Sequence, residues 1–210
     1  MKLAEMTVTG FVELLGSDAP APGGGSVSAL CAANGAALTA MVCRLTAGKK
    51  KYLESTPLME EIIPQAEALQ KKLTVSIDKD TEAFNLVSAA FKMPKETDEE
   101  KKARSAAIQE GTLVSTKVPF ETMELTLEVL RLAKQMLGKF NQNAASDLGV
   151  AALNLSAAVR GAWLNVLINL GSLKDTEAAA DFRRRGEAIV SEAVSLADFI
   201  YQEISASLAE

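Results

Sequence analysis

The 210-residue chain contains no histidine, so proton transfer or nucleophilic attack must rest on carboxylates, lysines, asparagines and backbone amides. A Ser-His-Asp triad, a Cys-His pair and a His-ligated zinc site are excluded at once. Among Asp78, Asp80 and Glu82, alternate acids on a helix point to different faces. Asp80 follows Ile77 by three residues and precedes Phe84 by four, which places it on the apolar face as the candidate buried carboxylate. A solvated surface acid is the competing reading. Upstream, Pro20-Ala21-Pro22-Gly23-Gly24-Gly25-Ser26 directs free amide N–H groups outward at the start of an apolar helix, an arrangement that binds anions. A tight turn capped by Ser26 would use the same residues. Prolines rather than a strand precede the glycines, so neither a Walker loop nor a Rossmann turn is present.

Lys49, Lys50, Lys51 and Tyr52 close the same helix. Cations there offset the negative end of the helix dipole, and three in a row beside an aromatic ring also suit a rim that grips a carboxylate-bearing or polyanionic ligand. In the helix after Ser146, Asp147, Asn154, Asn165 and Asn169 fall within about 60° of one another, with Gly161 in the same stripe. This polar seam either faces a ligand or ties helices together by hydrogen bonds.

The elements that position these groups read as helices throughout. Thr7 caps a short helix ended by Gly16, and Ser26 caps an apolar one running to about Ala47. The second is apolar on all sides and belongs in the middle of the fold. A helix follows from Pro57 to Lys92 with Leu58, Ile62, Ala66, Leu69, Leu73 and Ile77 at helical spacing and a kink at Pro64. After a charged break at Met93–Asp98, Asp98 caps a helix reaching about Leu137, with interruptions expected at Gly111 and Pro119. Gly138 stops it, the loop Lys139–Ala145 contains Asn141 and Asn143, and Ser146 or Asp147 caps a helix to Leu170. Asp175 or Thr176 caps the last. The fold class is therefore all-α, a multi-helical bundle of long antiparallel helices around a buried Ala-rich helix, in a single domain over residues 1–210.

Composition narrows the function classes. Apolar residues make up 48% and aromatic residues only 5%, which suits closely packed helices. The net charge of −5 argues against broad attraction to nucleic acid or an anionic membrane. Cys31 and Cys43, twelve residues apart on one helix, are too distant to bridge and read as reduced core thiols of a cytoplasmic protein. Met1–Thr9 does not resemble a secretory signal. Gly149–Leu170 is interrupted by Asn154, Arg160, Asn165 and Asn169, so no membrane span is expected. No metal or cofactor is called for.

Several separated segments carry a resemblance across nearly the whole chain: Ala21 to Val27, Met41 to Tyr52, Asp80-Thr81-Glu82-Ala83-Phe84, Asn141-Gln142-Asn143, Ser146 to Ala151, and Gly161 to Val166. In this order they resemble the formiminotetrahydrofolate cyclodeaminase and methenyltetrahydrofolate cyclohydrolase family. The resemblance implies a helical domain that forms a homodimer. It also implies a tetrahydrofolate derivative as substrate, bound in a cleft near the subunit interface, with Asp80 as the catalytic acid. On that reading Asn143, Asp147 and Asn165 hold the pterin or the tetrahedral centre. Lys50, Lys51 and the amides of Gly23, Gly24, Gly25 and Ser26 receive glutamate carboxylates, and Pro22 and Tyr52 belong to the same substrate-binding set. Both family reactions, ring closure with loss of ammonia and hydrolysis of the methenyl bridge, stay open, and residues 93–102 map to no function. The rival class is a non-catalytic folate-binding or helical interaction module in which Asp80 and the asparagine seam are structural.

Overall fold

In the computed structural model, which describes residues 2–209, the chain is helical from end to end and no strand occurs among the described residues. Met1, where the leader reading begins, and Glu210 lie outside them. The Thr7 hydroxyl accepts the Gly10 N–H at 3.1 Å and opens α1 (Val8–Leu15), which buries Phe11. The remaining helices are α2 (Gly24–Arg44), α3 (Thr56–Phe91), α4 (Asp98–Gln135), α5 (Ala145–Leu170) and α6 (Thr176–Ala209). Glycines in the left-handed region, Gly48 at φ 72° and Gly138 at φ 74°, follow α2 and α4, where a side chain would be strained.

Helix α2 packs against α3, α5 and α4. It runs antiparallel to α3, since Ser26 meets Asp80 near one end and Arg44 meets Glu67 near the other. It runs antiparallel to α5 as well, with Gly24 beside Asn165 and Leu45 bonded to Asn141. Close approach explains its small residues: a methyl group at Gly35 would collide with Leu155. Met59, Ile62, Leu73, Met123, Leu130, Leu148, Leu155 and Ile200 are fully buried in one cluster with α2 alanines. Each such side chain contributes about 1.5–3 kcal/mol of transfer free energy.

Several boundary expectations are corrected. Gly23, in extended conformation, is the N-cap of α2, and the Ser26 hydroxyl is instead drawn to groups on α3. The cap of α4 is Thr97 rather than Asp98, in a capping box with Glu100; the pair satisfies two otherwise orphaned N–H groups. Helix α5 starts from Ala144 with no side-chain cap, because the 3-10 turn Gln142–Ala144 feeds directly into it. Asp175 does cap α6, accepting from Ala178 N at 2.9 Å. Pro64 lies within an unbroken α3, and Gly111 and Pro119 do not interrupt α4.

Pro119 has no N–H for the carbonyl of Ser115, four residues back, and that carbonyl instead accepts the side-chain amide of Asn169 at 2.9 Å. Tertiary structure thereby supplies the bond that the proline removes.

Two helical stretches, Gly24–Arg44 and Gln142–Leu170, are long and apolar enough to span a membrane, with mean hydropathy of 1.5 and 1.3. The scattered asparagines of α5 do not lower its average below that level, contrary to expectation. Burial within the bundle covers 61% of the first window and 39% of the second. The position of α2 is central, but not on all sides: Val27, Leu30, Asn34, Leu38, Met41 and Leu45 form a stripe that no other helix fully covers. Beside it α5 exposes Val150, Leu153, Leu164 and Ile168.

Candidate active site

The deciding contacts lie where the start of α2 meets α3. Asp80 projects from α3 toward the glycine corner, and its carboxylate lies so close to Gly25 that a methyl group there would overlap it. Only glycine allows the acid this position. Ser26, with no exposed surface, places its hydroxyl 2.9 Å from Asp80 Oδ2, 3.0 Å from the Ile77 carbonyl and 3.4 Å from Thr81 Oγ1. Burial pushes the Asp80 pKa above the ordinary 3.8, and the hydroxyl and backbone N–H of Ser26 partly oppose the rise. Desolvation dominates because the low-dielectric wall disfavours the charge more than two hydrogen bonds restore it.

One hydroxyl proton serves both states of the acid. When Asp80 is ionised, Ser26 Oγ–H donates to it; when Asp80 is protonated, it donates to Ser26 Oγ, which turns its own proton to the Ile77 carbonyl. A carboxyl so placed gains and loses a proton without leaving a partner stranded, which general acid–base work requires.

Asp80 opens onto a cavity of about 340 Å³. The corner from Pro20 to Gly25 forms one rim, Phe84 and Val87 of α3 form an apolar floor, and Ser115, Asn165, Ile168 and Asn169 form the facing wall. Asn165 Nδ2 donates to Gly161 O, and Asn169 Nδ2 donates to both Ser115 O and Asn165 O, each at 2.9 Å. A second cavity of about 270 Å³, between α1, α2 and α3, is mostly apolar and holds no titratable side chain.

The structure therefore brings together Gly23, Gly24, Gly25, Ser26, Asp80 and Asn165, with Pro22 buried beneath the rim. It does not bring the remaining candidates to them. Lys50, Lys51, Tyr52, Asn143 and Asp147 gather at the far end of α2. The 21 residues of that helix separate the groups by about 30 Å. At that end Tyr52 Oη accepts the Gln142 N–H at 3.2 Å, and this bond holds the phenol below its usual pKa against the opposing effect of burial, with the charge of Lys51 adding to the lowering. The Lys51 ammonium sits 5.5 Å from the Tyr52 ring centre. Asn143 and both lysines are exposed, and Asp147 is half-buried. Asn154, expected in the same seam, bonds the Val150 carbonyl of its own helix.

The sequence profile described as formiminotransferase-cyclodeaminase matches residues 7–188. This chain belongs to the formiminotransferase-cyclodeaminase family. Among its relatives, a methenyltetrahydrofolate cyclohydrolase from Methylorubrum extorquens is 41% identical over 96% of this chain and 97% of its own length. A formimidoyltransferase-cyclodeaminase from Sus scrofa is 37% identical over 93% of this chain, which spans 36% of that longer protein. The crystal structure of formiminotetrahydrofolate cyclodeaminase from Thermotoga maritima superposes with a TM-score of 0.80 at 27% identity, covering 97% of this chain and 96% of that one.

For this family member, sequence reasoning missed Ser115, Val87 and Ile168 as cleft residues, and took Asn169 only as part of a general seam. One signal was available for the last: a proline inside α4 leaves a carbonyl four residues back in need of a donor. No local pattern in α4 singles out Ser115 before α5 is packed against it.

Proposed function

We propose that this chain acts on a tetrahydrofolate derivative at the one-carbon unit shared by N5 and N10, and that hydrolysis of the 5,10-methenyl bridge is its reaction. The observation that carries this reading is the proton-accommodating Asp80–Ser26 pair in a cleft. It lies in a chain collinear over nearly its full length with a methenyltetrahydrofolate cyclohydrolase. Ionised Asp80 takes a proton from water as its oxygen bonds to the bridging carbon, giving a tetrahedral centre. The bond from that carbon to N5 then breaks as N5 receives the proton from Asp80, and the hydroxyl on the carbon gives up its own proton, through the freed Asp80 carboxylate to solvent, so that a formyl group remains on N10. The raised pKa brings Asp80 nearer the operating pH, which strengthens it in both directions. Fixing the substrate between the Asp80 wall and the asparagine wall supplies orientation, a large part of the rate in reactions of this kind.

A second reading, ring closure of 5-formiminotetrahydrofolate with loss of ammonia, is favoured by the similarity to the Thermotoga maritima cyclodeaminase. There Asp80 would relay the N10 proton to the departing amine. One assay separates the two. Falling methenyl absorbance from 5,10-methenyltetrahydrofolate, above the enzyme-free rate, supports hydrolysis. Rising absorbance from 5-formiminotetrahydrofolate supports ring closure, and no change with either substrate leaves a binding module.

We also read the working unit as a cytoplasmic homodimer of single-domain chains. The free thiols Cys31 and Cys43 suit a reducing compartment. The open stripe of α2 and the exposed apolar side chains of α5 form a continuous face, with Leu164 67% and Ile168 75% exposed. Exposed patches of this kind mark association surfaces. A two-fold axis across the middle of α2 would bring the partner's C-terminal end of that helix to the start of this one. The cationic corner of one copy would then face the Asp80 cleft of the other, uniting groups that a single chain keeps apart. Ile168 belongs to both the face and the cleft, which ties the surface to the chemistry.

A further inference from the structure

Helix α4 carries a row of buried or half-buried hydroxyls. Thr112, Thr116, Thr122 and Thr126 each donate to the carbonyl four residues earlier, at 2.6–3.2 Å. Ser115 breaks the pattern: its hydroxyl oxygen is buried and is the one buried side-chain polar atom among the described residues with no hydrogen-bond partner. The residue lines the Asp80 cavity. An unpaired buried hydroxyl costs free energy, and in a cavity wall a bound molecule that accepts its proton removes that cost.

Asn169 stands beside it on the same wall with the opposite character. Both of its amide hydrogens are committed, to Ser115 O and Asn165 O at 2.9 Å each, so its orientation is fixed. Its amide oxygen accepts no hydrogen bond among the described residues and is left to the cleft as an acceptor. The wall opposite Asp80 thus carries one unpaired hydroxyl, lying just beneath its surface, and one fixed carbonyl acceptor, on two helices joined by the bond between Asn169 and Ser115.

We propose that Ser115 and Asn169 read a lactam edge of the bound molecule, with the Ser115 hydroxyl donating to a ring carbonyl and the Asn169 oxygen accepting the adjacent ring N–H. This rests on the tetrahydrofolate reading, whose pterin ring carries one such edge, and it turns that edge away from Asp80 so that the reacting atoms lie toward the acid. A ring with an unprotonated nitrogen at that place would set its lone pair against the Asn169 oxygen, a mismatch that rejects it.

The test uses the full chain and two ligands, tetrahydrofolate and its 4-deoxy analogue lacking the ring carbonyl, with binding measured by calorimetry for wild type and Ser115→Ala. Loss of one neutral hydrogen bond in the complex should weaken tetrahydrofolate binding by about three- to tenfold in the variant. The analogue should bind both proteins equally, and the wild-type preference for the carbonyl ligand should shrink by the same factor. The variant's thermal midpoint should equal or exceed that of wild type, since the substitution removes an unpaired buried oxygen. Equal weakening of both ligands, or an unchanged preference, overturns the assignment, as does a lowered midpoint with unchanged binding. If wild type neither binds nor converts any tetrahydrofolate, the parent reading fails; if it converts the substrate but Ser115→Ala keeps the wild-type preference, only the lactam pairing fails.

Discussion

Gly25→Ala tests the acid's placement without changing a single ionisable group. A Cβ built on Gly25 would lie 2.5 Å from Asp80 Cγ, whereas ordinary van der Waals contact begins at 3.4 Å. The carboxyl carbon must therefore retreat by at least about 0.9 Å and the nearer Oδ1 by more, or the start of α2 must shift by a similar amount. Either movement disturbs the Ser26 hydrogen bonds and turns the acid from the cleft. A misplacement of about 1 Å costs on the order of a hundredfold in rate when catalysis depends on orientation. The stability cost of overpacking is about 1–3 kcal/mol, partly offset because alanine favours the helix over glycine by up to about 1 kcal/mol. Steady-state turnover of 5,10-methenyltetrahydrofolate, alongside circular dichroism to confirm the helical content, should show kcat down by about two orders of magnitude in a folded protein. A folded Gly25→Ala variant retaining more than half of wild-type kcat would refute the claim that this close approach sets the acid's working position.

Other substitutions probe charge, proton exchange and assembly. Asp80→Asn should abolish most turnover while raising or preserving stability at neutral pH. The native-state pKa lies above the ordinary 3.8, so the stability from this group is full below about that pH and is lost as pH rises through the native pKa. The variant's advantage in thermal midpoint should therefore shrink toward pH 4, and a constant difference across pH would contradict the sign. Ser26→Ala removes a bond that lowers the Asp80 pKa, so the limb of the pH–rate profile that requires ionised Asp80 should move to higher pH; an unmoved limb counts against the shared-proton arrangement. Leu164→Glu places a charge on an exposed apolar residue of α5 and should give a folded monomer with little activity by light scattering and turnover. A fully active dimer would show that this face is not the interface.

How much of this was written in the chain order depends on the range of the interactions. Asp80 could be read as the inward-facing acid because Ile77 and Phe84 flank it at helical spacing, a relation within one helix, although it is half-buried and open to the cleft. Three glycines after two prolines marked a rigid, open helix start, and the long apolar repeats fixed the all-helical class. These features depend on neighbours a few residues apart. The cap of α2 could not be read so, because Ser26 is claimed by Ile77 and Asp80, 51 and 54 residues away. Nor could the continuity of α4 through Pro119, where the missing backbone bond is answered by Asn169, 54 residues beyond Ser115. Sequence chose the residue types of both polar clusters, but only the antiparallel packing of α2 with α3 and α5 decided which of them meet. A rigid helix holds its two ends apart, so Lys50 and Lys51 cannot reach Asp80 in one chain, while Ser115, silent in its own helix, becomes a cleft residue when α5 lies across it.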